Sequence, residues 1–144
     1  MKLVRTVMML AAAVLVGTMT LAAQGGQQQW TDEQYDKVMK EVGPTAGALR
    51  KAIEGQNAEL AKTNSTKIVQ LFTDTHAFWT SRNVKEAAGI ANDAVTHAKA
   101  VDAAIDAKDF AKAAEHAKAM QGTCAACHKQ YRDKAPDGTW RIKP

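Results

Sequence analysis

Apolar residues recur every three or four positions from residue 31 to residue 131, and this periodicity constrains the fold more than any other feature. Side chains at that spacing lie on one face of an α-helix. Alanine, the strongest helix former, is abundant, and runs of β-branched residues are absent. Turn signals interrupt the periodicity at Gly55-Gln56-Asn57, at Asn83 and at Asp109. The pattern therefore predicts four helices of more than twenty residues each, joined by short turns.

Capping residues and a proline refine the predicted helices. Thr31 and Gln34 form a capping-box pattern at the start of the first helix. Gly43-Pro44 within this helix predicts a bend, because proline has no N–H to donate and crowds the preceding turn. The second helix is predicted to end near Ser81, and Asn83 is predicted to cap the third. The side chains predicted to face inward are, in chain order, Tyr35, Met39, Val42, Ala46, Leu49 and Ile53; Leu60, Ile68, Leu71, Thr75 and Phe78; Val84, Ala87, Ala91, Ala94, Ala98, Val101 and Ile105; Phe110, Ala113, Ala117, Met120, Cys124, Cys127 and Tyr131.

Short turns between long helices make consecutive helices antiparallel neighbours. The predicted fold class is therefore an all-α, up-down-up-down four-helix bundle over residues 31–132, followed by a tail over residues 133–144 with a turn and an extended end. The apolar stripes of the third and fourth helices consist largely of alanine, which makes a thin core. A large apolar group buried inside the bundle would compensate for it.

Residues 1–23 have the layout of a secretory signal peptide. Lys2 and Arg5 form a positively charged start, residues 7–16 are apolar, and small residues surround a cleavage point after Ala22 or Ala23. The apolar run is shorter than the roughly 20 residues that span a bilayer. We therefore expect export to the periplasm without membrane insertion after cleavage. Residues 24–30 are polar and glutamine-rich, which predicts a flexible lead-in.

The charge pattern excludes some classes of partner. Loss of the signal peptide would leave seventeen basic and fifteen acidic residues, and the net charge would fall from +4 to +2. Basic and acidic residues alternate, whereas nucleic-acid and membrane-surface sites need clustered basic residues. We predict no nucleic-acid partner, and a mildly basic face toward an acidic partner is left open. No Ser/His/Asp arrangement, paired-carboxylate site or glycine-rich phosphate loop is visible, so we predict that the protein is not an enzyme.

Both cysteines of the chain lie in one motif, Cys124-Ala125-Ala126-Cys127-His128. C-x-x-C-H is the attachment signature of heme c. Cys124 and Cys127 are one helical turn apart, so their sulfurs can form thioethers with the two vinyl groups on one edge of the porphyrin. His128 then points its imidazole at the iron from the same side. A single motif predicts one covalently attached heme c per chain.

A disulfide, a redox dithiol and a structural zinc site are the competing interpretations of these cysteines. Redox dithiols lie at strand-to-helix junctions of thioredoxin-like proteins, and the sequence predicts no strand. A structural zinc needs four ligands, and His76, His97 and His116 do not have the spacing of a second ligand pair. Heme attachment therefore fits the sequence best.

The stretch Cys124-Ala125-Ala126-Cys127-His128-Lys129-Gln130-Tyr131-Arg132 closes the last predicted helix of an exported four-helix chain. In this it resembles the class II cytochromes c, the cytochrome c-prime family, over residues 31–132. The resemblance implies that the first helix faces the iron from the side opposite His128. High-spin members place an apolar side chain there and leave the iron five-coordinate, whereas a low-spin branch, which this chain resembles most, places methionine there.

Met39 is the predicted sixth ligand. Four of the six methionines lie in the signal peptide, and Met120 precedes His128 on the same helix and cannot reach the opposite heme face. Met39 lies about 12 Å from the start of the first helix and His128 about 6 Å from the end of the fourth, and these helix ends share one end of the bundle. Two alternatives stay open: His76 as the ligand, and Met39 as a core residue only.

Phe78, Trp79 and Arg132 each have two interpretations. Phe78 and Trp79 are walls of a heme pocket or ordinary packing residues. Arg132 pairs with a heme propionate or is solvated. Together these features predict a periplasmic monoheme cytochrome c that carries single electrons between redox partner proteins. The alternative, if Met39 does not ligate, is a five-coordinate heme protein that binds nitric oxide or carbon monoxide. A homodimer is also left open.

Overall fold

The computed structural model describes residues 29–143, which form an all-α four-helix bundle followed by a short β-hairpin. The elements are α1 (Asp32–Glu54), α2 (Ala58–Ser81), α3 (Lys85–Asp106), α4 (Phe110–Tyr131), β1 (Arg132–Lys134) and β2 (Trp140–Ile142). Each helix packs on the next through a short turn, and the predicted fold class is confirmed. The predicted signal peptide and residues 24–28 of the lead-in lie outside the described residues.

The three turns between helices share one backbone conformation. Gln56, Asn83 and Lys108 are left-handed, with φ between 51° and 58°. The N–H of the following residue then donates to a carbonyl five residues back, in the pairs Asn57 to Ala52, Val84 to Trp79 and Asp109 to Ala104. This is the Schellman arrangement that ends many helices. Because the same donor residue is the N-cap of the next helix, three residues suffice for each reversal of the chain.

The predicted cap is confirmed on α1 and wrong on α3, and Asp109, predicted as the turn before the fourth helix, is its N-cap. Thr31 and Gln34 form the capping box, and Asp109 accepts a hydrogen bond from the N–H of Lys112 at 2.9 Å. Asn83 does not cap α3. It occupies the left-handed position of the turn, a conformation in which asparagine is enriched, and Val84 is the N-cap without any side-chain hydrogen bond.

The predicted inward faces of α1, α2 and α3 are mostly buried, with one error on α2. Leu60 was predicted to face inward but is 54% exposed, and Ala61 is buried instead. Ala61 lies seven residues, close to two helical turns, before Ile68, whereas Leu60 lies eight before it. Ser65 lies on the same buried stripe although it is polar. The buried residues of α2 are Ala61, Ser65, Ile68, Leu71, Phe72, Thr75, Phe78 and Trp79.

The C-terminal half of α4 is less buried than the periodicity predicted. Ala113 and Met120 are buried, but Cys124, Cys127 and Tyr131 are only half-buried. α4 packs closely on α3, and α1 packs closely on α2, yet α1 and α4 touch only sparsely. The bundle is therefore closed along three seams and open along the fourth.

The C-terminal tail forms an antiparallel hairpin where a turn and an extended end were predicted. Arg132 pairs with Ile142 and Lys134 with Trp140. The turn contains Gly138 at φ 84°, a conformation that glycine adopts without steric cost. The backbone N–H of Lys143 donates to the carbonyl of Tyr131 at 3.0 Å, which ties β2 to the end of α4. The hairpin thereby folds back against the open seam.

Candidate heme site

A cavity of about 1330 Å³ fills the open seam between α1 and α4. Its walls are α1, α4 from Ala114 onward, and the hairpin from Thr139 to Ile142. Pockets for drug-sized ligands measure about 300–1,000 Å³, and close-packed protein interiors rarely contain voids much larger than a water molecule. The cavity therefore has room for a group as large as a porphyrin.

The three residues of the attachment motif lie together on the α4 wall. Cys124, Cys127 and His128 all line the cavity and are half-buried. Cys124 and His128 lie four positions, or about 6 Å along the helix axis, apart, and all three residues share one helix face. The two sulfurs are not bonded to each other, and the thiol of Cys124 lies 3.5 Å from the carbonyl of Met120. Both thiols are therefore presented to the same space as the imidazole.

The electrostatics of the thiols distinguish this site from a redox dithiol. Burial raises the pKa of Cys124. Burial, and then the proximity of Cys124, raise the pKa of Cys127 to about 11, against an opposing effect of the positive charge on Arg132. Redox-active C-x-x-C pairs have a lowered thiol pKa, because the thiolate is the nucleophile. The raised pKa values are therefore unlike those of a redox-active dithiol.

His128 is held in the form that ligates metals. Burial, and then the positive charge of Arg132, lower the pKa of its imidazole. A neutral imidazole has a ring nitrogen available for coordination, whereas the protonated ring has none. The environment of His128 therefore suits an axial ligand.

Met39 lines the same cavity from the α1 wall. It is half-buried and packs against both apolar clusters of the bundle. Gly43 and Gly47 follow it at one-turn intervals, and a Cβ added at either glycine would meet no atom within 4 Å. A thioether on α1 thus shares a cavity with the thiols and imidazole on α4, and there is open space beside it.

Phe78 and Trp79 lie in the layer behind the cavity wall. Both are buried, and Tyr35 stacks on Phe78 with ring centroids 4.0 Å apart and an interplanar angle of 15°. Tyr35 lines the cavity itself. The aromatic wall on α1 is therefore Tyr35, which lies one helical turn before Met39 on the same stripe and was not predicted as a site residue.

The other histidines lie away from the cavity wall. His76, the alternative ligand, is half-buried on α2, and its Nε2 lies 3.5 Å from Thr80 Oγ1 on the same helix. His97 and His116 meet between α3 and α4, with ring centroids 6.3 Å apart. Among residues 29–143, no three His, Cys, Asp or Glu side chains come together where they could hold a metal ion.

Arg132 and Trp140 form the end of the cavity beside the motif. Both line it, and the guanidinium of Arg132 lies 4.0 Å from the centroid of the Trp140 ring. Trp140 was not predicted as a site residue, because it follows the helical domain in a segment without periodicity. Only its aromatic character, eight residues after Arg132, could have pointed to it.

Across the described helices, none is both long and apolar enough to cross a membrane.

In comparisons with known proteins, the chain matches no family model and no curated protein. The chemistry of the site therefore rests on its own residues. Two thiols, an imidazole and a thioether that line one large cavity are a donor set that fits a covalently attached heme.

Proposed function

We propose that this protein is an exported monoheme cytochrome c, similar to the class II cytochromes, that carries single electrons. The observation that carries the proposal is the cavity between α1 and α4, which collects Cys124, Cys127 and His128 from one wall and Met39 from the other. These are the residues that covalent attachment and two axial ligands require.

Each residue has a distinct role in this proposal. When bound, the heme iron supplies a one-electron redox couple. Cys124 and Cys127 would hold the group by thioether bonds, so it would not be lost outside the cytoplasm. His128 would ligate the iron from the α4 side, and the thioether of Met39 would ligate it from the α1 side. Histidine–methionine ligation raises the reduction potential and leaves no coordination position for a substrate, which suits a carrier better than an enzyme.

The location and the partners follow from the same proposal. The signal-type segment over residues 1–23 supports export to the periplasm. An electron carrier needs a donor and an acceptor, which would be redox partner proteins. Neither partner has a sequence signature in this chain.

A second candidate function is the binding of nitric oxide or carbon monoxide by a five-coordinate heme. The small side chains on the α1 wall favour it, because Gly43, Ala46 and Gly47 leave space beside Met39. The two functions differ in one respect, which is whether the sulfur of Met39 occupies the sixth coordination position.

Optical spectra of the heme-loaded protein decide between them. For the electron carrier we expect a low-spin ferric spectrum, with the weak sulfur-to-iron charge-transfer band at the red end, and no rapid carbon monoxide uptake after reduction. Met39→Ala should abolish that band and allow uptake. Met120→Leu is the matched control, because Met120 lines the same cavity from α4. A high-spin wild-type spectrum with rapid uptake would instead support the gas-binding protein.

Covalent attachment has its own test. After expression with export and heme-maturation machinery, the denatured protein should retain one heme through acid–acetone extraction, as measured by mass. Cys124→Ala should weaken this retention, whereas His116→Ala, on the same helix but outside the cavity wall, should not. A wild-type chain recovered without heme would contradict the proposed function.

A further inference from the structure

The C-terminal hairpin forms a third wall of the cavity, in addition to α1 and α4. β1 begins at Arg132, directly after α4 and four residues after His128. Trp140 and Ile142 of β2 line the cavity, and Ile142 also packs against the apolar cluster around Tyr35. The hairpin therefore lies beside any group attached to the motif.

The position of the hairpin is set by hydrogen bonds to the end of α4. The backbone N–H of Lys143 donates to the carbonyl of Tyr131 at 3.0 Å. The ammonium of Lys143 donates to the carbonyl of Lys129 at 2.9 Å. The side chains of Gln130 and Tyr131 in turn donate to Glu86 at the start of α3, at 2.8 and 3.1 Å. The hairpin is thus hydrogen-bonded to the C-terminal end of α4, and that end is in turn hydrogen-bonded to α3.

The strand register places two cations and an aromatic ring on one face of the hairpin. Arg132 pairs with Ile142 and Lys134 with Trp140, and residues two apart on a strand share a face. The guanidinium carbon of Arg132 lies 4.0 Å from the centroid of the Trp140 ring, and the ammonium of Lys134 lies 5.7 Å from it. Both distances are within the range of cation–π attraction.

These two cations differ from the third positive charge of the hairpin. Arg141, on the opposite face, pairs with Asp133 at 3.5 Å. Within residues 29–143, neither Arg132 nor Lys134 has a carboxylate within ion-pairing distance. The face that carries Trp140 therefore presents two positive charges without a carboxylate partner. Arg132 lines the cavity, and Lys134 lies on the same face beyond the lining residues, whereas Arg141 also lines the cavity but is paired with Asp133.

We propose that this face of the hairpin binds the carboxylate edge of the heme, with Arg132 and Lys134 paired to its two propionates and Trp140 positioning both cations. The inference rests on the proposed function, because it requires a heme in the cavity. Guanidinium and ammonium groups form charge-assisted hydrogen bonds with carboxylates. An aromatic ring beneath the guanidinium limits its motion and leaves its N–H groups available.

The reduction potential of the heme-loaded protein tests this assignment. A cation near the iron stabilises the reduced state, which carries one more negative charge, and it also neutralises a propionate that would otherwise stabilise the oxidised state. Arg132→Gln and Lys134→Gln should each shift the potential downward, Arg132→Gln by more because Arg132 lines the cavity. Lys99→Gln is the control, with the same charge change as Lys134→Gln at an exposed residue of α3 that does not line the cavity, and it should leave the potential nearly unchanged.

Substitution of Trp140 separates positioning from packing. Trp140→Leu should shift the potential in the same direction as Arg132→Gln, but by less, and Trp140→Phe should restore most of it because an aromatic face remains. Equal potentials in Arg132→Gln, Lys134→Gln and Lys99→Gln, on protein that retains its heme and its wild-type spectrum, would overturn the hairpin assignment alone. A chain without covalent heme would overturn the proposed function and this assignment together.

Discussion

The seam between α2 and α3 and the seam between α1 and α4 use small residues to opposite effect. On α3, a stripe of alanines is buried to 3% exposure or less and lets α2 approach closely; its members are Ala87, Ala91, Ala94 and Ala98. On the other seam, Ala46 and Ala117 are half-buried and border the cavity of about 1330 Å³. Short side chains favour close helix contact only where the partner helix comes near, and elsewhere they leave volume for another group.

Polar contacts reinforce the α2–α3 seam, one of the three closed seams. The buried hydroxyl of Ser65 lies 2.5 Å from Asp102 Oδ1. Lys62 on α2 bonds to Asp102 at 2.9 Å and to Asp106 at 2.8 Å on α3. In the described part of the chain, no side-chain hydrogen bond or ion pair joins α1 to α4. The bundle therefore has one side, between α2 and α3, that side-chain bonds hold closed, and one side, between α1 and α4, with a cavity that a bound group can fill.

Replacing one isoleucine by alanine on each side of the bundle should show the largest difference in the free energy of unfolding. Ile68 is fully buried, so Ile68→Ala should lower the free energy of unfolding by about 2–5 kcal/mol through lost burial and the cavity that remains. Ile142 is half-buried on the hairpin wall, and Ile142→Ala should cost about 1 kcal/mol. Urea unfolding measures both values. Equal losses would contradict the distinction between a packed and an open side.

Enlarged alanines should separate stability from cofactor binding. Ala98 is fully buried, so Ala98→Leu should overpack the core and cost about 1–3 kcal/mol. Ala117 faces the cavity, so Ala117→Leu should leave the free energy of unfolding within about 0.5 kcal/mol of wild type but reduce the heme content. Heme content is measured by absorbance per chain. Normal heme content in Ala117→Leu would argue that the cavity is not the cofactor site.

Local features of the sequence were sufficient to predict the helices and the motif. The capping box at Thr31 and the spacing of Ile68 and Phe78 involve residues within a few turns of each other, so the physics that determines them is visible in a short window. Likewise, Cys124, Cys127 and His128 were predicted to share a face because helix geometry alone places them there.

Features that depend on distant residues were harder to predict. Asn83 is an error of a different kind: the hydrogen bonds of its turn are local, but asparagine is favoured both as an N-cap and in the left-handed position, and the residue type alone does not distinguish the two. The burial of Ser65 requires Asp102, thirty-seven residues away. β1 consists of charged residues only, and the apolar alternation of β2 is three residues long, too short to predict a strand, so Trp140 was not connected with the site.

Ser65 provides a smaller test of the closed seam. Ser65→Ala removes a donor to a partly buried carboxylate, so we expect a loss of about 1–2 kcal/mol in the free energy of unfolding. Ser81→Ala is the control, because the hydroxyl of Ser81 donates only to Phe78 on its own helix, at 2.7 Å, and its loss should be smaller. If the two serines cost the same, the bond across α2 and α3 would contribute nothing specific.

Acid sensitivity of the same seam is the smallest expected effect. Partial burial alone would raise the pKa of Asp102, but hydrogen bonds from Ser65 and Lys62 outweigh it and hold the pKa below its ordinary value of 3.8. Because the pKa is lower in the folded than in the unfolded chain, the carboxylate contributes its full stabilisation above the unfolded pKa and loses it as pH falls through the folded pKa. Asp102→Asn should therefore be less stable than wild type at neutral pH, and the difference should shrink under acid. Urea unfolding at neutral pH and below 3.8 measures this difference, and a constant gap between the two proteins would show that ionised Asp102 does not hold the seam.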